Sequence, residues 1–238
     1  MRTAQMGPLK VRIVGGTDGE GGGDGPMVVL MHGFGAPGTD LVGLTQVLRA
    51  PPGTRFIFPE APISLSGPAA FPMGDSRAWW MIDVEAIQRL VAVGEFRDLR
   101  NHEPEGIVEA RERVVEMLDA LDSSLKPPKT ILGGFSQGAM LATEVTLQTE
   151  RSLHGLMLFS GTLLAEHLWR PRMSTRAELP VFQSHGRADP VLPFTLAEAL
   201  NTTMQQEGMK ASFVAFDGGH EIGGPALIGA NEFLAQHL

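Results

Sequence analysis

The sequence predicts an α/β fold, a mostly parallel central sheet with helices on both faces. Three observations carry that expectation. Short apolar runs recur along the chain, segments of helical spacing separate them, and 29 glycines and 17 prolines in 238 residues punctuate the joints. Parallel strands need a connection long enough to hold a helix, so this alternation reads as successive βαβ units.

Taken in order, residues 9–14 alternate apolar and basic side chains, which suits an exposed early strand. The glycine-rich stretch 15–25 lacks the Lys-Ser/Thr ending of a phosphate-binding loop and opens onto no helix, so it reads as a flexible hairpin connection. Residues 27–31 are continuously apolar, as in a strand buried on both faces. Residues 40–49 have helical spacing, and 55–58 form another short buried strand stopped by Pro59. The segment 61–77 is rich in Pro, Gly and Ser and too long for a simple connection, so residues from about 61 to 80 are expected to shape a substrate site. Residues 105–121 carry Val108, Val115 and Leu118 between charges, as an amphipathic helix does. Strands follow at 130–135, 153–159, 180–183 and 211–216, with helices at 138–149, 194–207 and 225–238. Neither a repeat nor a linker divides the chain, so one domain is expected over 1–238.

Composition narrows the function. Apolar residues make up 43% and charged residues 19%, a globular profile, and the net charge of −8 argues against nucleic acid as a partner. The absence of cysteine excludes disulfides, thiolate metal sites and a cysteine nucleophile. Residues 1–10 contain no apolar signal core, and no run reaches membrane-spanning length, so a cytoplasmic protein without a membrane span is expected.

The chemistry centres on Gly134-Phe135-Ser136-Gln137-Gly138. G-x-S-x-G marks a nucleophile elbow, where a serine on a tight strand-to-helix turn needs flanking glycines because side chains would meet backbone. The pattern alone is weak, but here a buried strand precedes it and a helix follows. A serine hydroxyl needs a base. His220 lies just past the last apolar strand and Asp189 just past the one before, in the order Ser, Asp, His that such elbows use. His32 precedes the elbow and opens a glycine turn, which favours a structural role; His185 is read as tying its own loop together. His102, His154, His167 and His237 are read as surface or packing residues. Asp217 is too near His220 in sequence to orient its ring. His32-Gly33-Phe34-Gly35-Ala36 ends the 27–31 strand where a second oxyanion donor is expected, so the two donors are assigned to the backbone N–H groups of Phe34 and Gln137. No H-E-x-x-H and no tight ligand cluster occurs, so neither a metal nor another cofactor is expected.

The chain from about Val28 onward resembles the phospholipase/carboxylesterase family of α/β-hydrolase-fold enzymes, which includes bacterial carboxylesterases and acyl-protein thioesterases. The resemblance rests on Met31-His32-Gly33-Phe34-Gly35, Phe58-Pro59-Glu60-Ala61-Pro62, Arg77-Ala78-Trp79-Trp80, the elbow with its neighbours Gly133, Ala139 and Met140, His185-Gly186-Arg187-Ala188-Asp189-Pro190-Val191, and Gly218-Gly219-His220. It implies Ser136 as nucleophile, Asp189 as orienting acid, His220 as general base, and Phe34 and Gln137 as oxyanion donors. It also implies an acyl site shaped by the loop that holds Phe71, Met73, Trp79 and Trp80, although the two tryptophans equally suit core anchors. Two departures stand out: Ala36-Pro37-Gly38 intervenes before the acidic Asp40, and the loop is rich in proline and alanine, so substrate preference does not transfer. Relatives of this kind often form homodimers, but no surface pattern here marks an interface.

These readings converge on a serine carboxylic-ester hydrolase working through an acyl-enzyme on small or medium acyl esters. An acyl-protein or acyl-CoA thioesterase or a lysophospholipase would use the same triad. A non-catalytic receptor of the same fold would require a broken triad, and all three members are present.

Overall fold

The computed structural model describes residues 1–66, 75–93, 96 and 98–238. Among the described residues ten strands run in chain order: β1 (Arg2–Met6), β2 (Leu9–Gly15), β3 (Met27–Met31), β4 (Arg55–Pro59), β5 (Ile63–Ser64), β6 (Arg77–Ala78), β7 (Thr130–Phe135), β8 (Gly155–Phe159), β9 (Pro180–Gly186) and β10 (Lys210–Phe216). The helices are α1 (Val84–Ala92), α2 (Ile107–Leu125), α3 (Gln137–Gln148), α4 (Glu166–Met173), α5 (Phe194–Gln206) and α6 (Gly224–His237), with a 3-10 helix at Asp40–Gln46. Eight strands form one sheet in the order β1-β2-β4-β3-β7-β8-β9-β10. The run from β4 through β10 is parallel, and β2 pairs antiparallel with both β1 and β4.

The period-two alternation of strand side chains divides the core between the two faces. Met27, Val29 and Met31 of β3 join Leu156 and Leu158 of β8 against side chains from α2, α3, α4 and α5. Val28 and Leu30 join Met157 and Phe159 on the other face, against the 3-10 helix and α6. On the first face Glu144 of α3 accepts from Arg111 of α2 at 2.6 Å and from the Trp169 indole of α4 at 2.7 Å, which ties three helices through one buried carboxylate.

Two expectations need correction. The early strand is not exposed: Leu9, Val11 and Ile13 are buried, and β1 covers the edge that β2 would otherwise present. Its basic alternate face is masked too, because Arg12 meets the Glu60 carboxylate at 2.6 Å. The glycine-rich stretch is not a hairpin connection, since β4 inserts between β2 and β3. Asp18 accepts the Glu20 and Gly22 N–H groups at 2.8 and 2.9 Å to shape that loop. The fully buried Arg55 then closes it, donating to the carbonyls of Gly23 (3.0 Å), Gly25 and Leu125 (2.9 Å).

Arg55 begins β4, at the sheet end opposite the elbow. Replacing it with methionine keeps the apolar stem but orphans three carbonyls, each of which costs about 1–3 kcal/mol when left without a donor. Arg55→Met is expected to lower unfolding stability by about 3 kcal/mol or more in a urea titration, with activity per folded molecule unchanged. An unaltered urea midpoint would contradict the assigned role.

Candidate active site

The sharp turn from β7 into α3 places Ser136 in a left-handed backbone conformation, φ 54° and ψ −117°, which side chains rarely adopt. Neighbouring backbone holds it there. Ser136 N–H donates to Phe159 O of β8 at 2.9 Å, and its carbonyl accepts from Ala139 and Met140 N–H at 3.0 and 3.1 Å. The two motif glycines are required by close approach. A Cβ on Gly138 would stand 2.1 Å from Met31 O and 2.7 Å from His32 O, and one on Gly134 would stand 2.5 Å from Met31 O.

Ser136, His220 and Asp189 form one hydrogen-bonded chain. His220 Nδ1 lies 2.6 Å from Asp189 Oδ2, and Nε2 lies 2.9 Å from Ser136 Oγ. A carboxylate only accepts, so the ring proton sits on Nδ1, and the Nε2 lone pair accepts from the serine hydroxyl. The Phe135 ring packs on the imidazole with centroids 4.9 Å apart. Asp189 is buried, and burial pushes its carboxyl up, but the bonds from His185 and His220, the charge interaction with His220 and the Leu192 N–H outweigh this and hold it well below the usual carboxylate range. Its other oxygen accepts Val191 and Leu192 N–H at 2.8 and 2.9 Å.

His185 does more than tie its loop. Its Nε2 donates to Leu192 O at 3.0 Å and lies 3.2 Å from Asp189 Oδ2, so a second, fully buried imidazole stands beside the same carboxylate. His32 has the structural place expected of it. Burial pushes its pKa down to about 4, so the ring is neutral; Nε2 accepts Ala61 N–H at 3.1 Å, and Nδ1–H donates to Gly33 O at 2.8 Å.

The turn after β3 is closed by Ala36 N–H to Gly33 O at 3.3 Å, with Gly35 at φ 79°. Gly35 N–H is engaged by Arg77 O at 2.8 Å, whereas among the described residues the N–H groups of Phe34 and Gln137 have no backbone acceptor. Beneath this turn lies a buried carboxylate that the sequence reading passed over. Glu60 meets Lys10 at 2.7 Å, Arg12 at 2.6 Å and Arg77 at 3.4 Å. Burial pushes Glu60 up, yet its bonds to Lys10 and Arg12 and the Arg77 charge hold it below the ordinary value.

Of the loop residues expected to shape an acyl site, Phe71 and Met73 fall outside the described residues. Trp79 and Trp80 are both buried in the core, and the Trp79 indole N–H donates to His32 O at 2.9 Å. Their edges also border a cleft of about 550 Å³ lined by Pro62, Ile63, Gly106 and Arg113 among others. Both are therefore anchors first, with one side turned to a cavity. Among the described residues no cluster of three or more metal-ligating side chains forms, and no helix is long and apolar enough to cross a membrane.

Comparison with known proteins places the chain among relatives. Residues 22–238 match the model of a family described as Phospholipase/Carboxylesterase. An acyl-protein thioesterase 1 of Cryptococcus neoformans var. neoformans serotype D is 28% identical over 190 residues, covering 77% of this chain and 74% of that protein. A probable carboxylesterase of Oryza sativa subsp. japonica is 30% identical over 216 residues, covering 89% and 77%. The crystal structure of esterase PE8 superposes with a TM-score of 0.78 at 29% identity, over 97% of this chain and 99% of that one.

The tight approach of α3 to β3 is testable. The added methyl in Gly138→Ala would meet backbone atoms that cannot rotate aside, so a loss of about 3 kcal/mol or more in urea unfolding is expected. A variant as stable as the parent would show that the elbow has room it does not display.

Proposed function

The chain belongs to the phospholipase/carboxylesterase family and is a hydrolase, and on that premise we propose that it is a carboxylesterase in which Ser136 is the nucleophile, His220 the general base and Asp189 the orienting acid. The observation that carries this reading is the unbroken relay from the Ser136 hydroxyl through the His220 ring to Asp189, at 2.9 and 2.6 Å. In the first half-reaction Ser136 Oγ bonds to the ester carbonyl carbon as its proton passes to His220 Nε2. The carbonyl oxygen takes the negative charge, and the backbone N–H groups of Phe34 and Gln137 receive it, the latter at the positive end of α3. Collapse breaks the bond to the leaving alcohol, which departs with the proton from His220. Water then repeats the sequence on the acyl-enzyme and releases the acid and free Ser136.

Asp189 is held ionised well below the usual carboxylate range, so it keeps accepting from His220 Nδ1 throughout the neutral range in which such a reaction is run. The thioesterase reading has the fungal relative in its favour and uses the same steps with a sulfur leaving group.

The test is a series of p-nitrophenyl esters from acetate to palmitate, with matched thioesters, on the parent and Ser136→Ala. Loss of about 10³-fold or more in the variant is expected, with oxyesters of short or medium chain preferred. Equal rates for the two proteins would remove Ser136 from the mechanism. A marked preference for long-chain thioesters would decide for the thioesterase reading.

A further inference from the structure

Gln137 has a side chain that the acyl-transfer reading does not use. It is the first residue of α3 and fully buried, and both ends of its amide are engaged. Oε1 accepts Trp79 N–H at 3.0 Å, and Nε2 donates to Trp80 O at 2.9 Å. The amide thus reads one residue's donor and the next residue's acceptor.

The segment it grips, just after β6, reaches the opposite side of the site. Arg77, two residues before Trp79, brackets the turn after β3: its carbonyl accepts Gly35 N–H at 2.8 Å, and its N–H donates to Ala36 O at 3.2 Å. Trp79 adds the indole bond to His32 O, the residue that enters the same turn. The stretch 77–80 is thereby fastened to the His32–Ala36 turn on one side and to α3 on the other. Phe34 N–H lies in that turn; Gln137 N–H starts α3.

We propose that the Gln137 side chain is a positioning residue that sets the spacing between the two oxyanion donors, by holding the 77–80 segment to which the Phe34 turn is fastened. The inference rests on the oxyanion assignment made above. Its logic is chemical: a primary amide offers an acceptor and a donor side by side at this reach, whatever the pH. An asparagine is one methylene too short, and a carboxylate turns its second oxygen against Trp80 O. A misplaced donor weakens stabilisation of the oxyanion and leaves ground-state binding of the ester nearly intact, because the charge appears only in the transition state.

The test uses Gln137→Met and Gln137→Glu in the full chain, with Ser136→Ala beside them. In each, kcat and KM are measured for the preferred p-nitrophenyl ester, together with the inhibition constant of an alkyl trifluoromethyl ketone that forms an oxyanion on the serine. Gln137→Met is expected to lower kcat about 10- to 100-fold and to weaken the ketone by a similar factor, with KM within about threefold of the parent. Gln137→Glu supplies the readout that a merely structural role does not move. Its protonated carboxyl accepts from Trp79 N–H and donates to Trp80 O as the amide does, so variant-to-parent ratios of kcat and ketone affinity rise as pH is lowered from about 9 to about 6. The glutamate variant decides the matter should the methionine variant fail to fold. A Gln137→Met with parental kcat and ketone affinity, or a Gln137→Glu ratio that is flat with pH, would overturn the inference. Full activity in Ser136→Ala would instead overturn the reading beneath it.

Discussion

The constraint on which the site depends is the left-handed backbone at Ser136. A non-glycine residue held there costs about 1–3 kcal/mol and persists only where its surroundings leave no alternative. Here three strands impose it. The β3–β7 register sets Met31 opposite Gly134, the β7–β8 register sets Phe135 opposite Phe159, and the absence of side chains at Gly134 and Gly138 lets α3 come down onto Met31 and His32. The strain leaves the hydroxyl at the carboxyl ends of the parallel strands, where the loops after β9 and β10 also emerge with Asp189 and His220. In parallel sheets that edge is where ligand sites gather.

Charge is managed around the elbow with few buried ions. Asp189 accepts from the His220 ring and from two backbone N–H groups, with the His185 ring 3.2 Å away, so it stays an acceptor across any pH at which the protein works. Glu60 does the same under the Phe34 turn, compensated by Lys10, Arg12 and Arg77. A buried carboxylate left uncompensated would instead protonate or open the structure. The basic residues of β2 are thus the counter-charge for an acid 48 residues away in the case of Arg12 and are not a solvent-facing row.

Much of this was legible in the sequence. The β7 bounds agree with the structure residue for residue; α3, α5, β10 and α6 fall within one residue at each end, because apolar runs and helical spacing are local signals. The meeting of Ser136, Asp189 and His220 was legible from motif order and position after strands. What escaped depended on partners distant in sequence. β1 has few apolar residues and takes its strand form from pairing with β2. α4 contains Pro171, which argues against a helix, yet Trp169 anchors it through Glu144. The exposed reading of β2 could not know of Glu60, nor the hairpin reading of 15–25 that β4 would insert itself. The role of the Gln137 side chain had no local signal at all, since its partners are the main chain of Trp79 and Trp80.

The most direct test of the account is covalent capture of the nucleophile: reaction with an alkyl fluorophosphonate, peptide mass spectrometry, and a crystal structure of the adduct. The account predicts one phosphonyl group per chain, on Ser136, with its P=O oxygen about 3 Å from the backbone nitrogens of both Phe34 and Gln137. Labelling of another residue, or an adduct on Ser136 whose oxygen points away from those two groups, would contradict it.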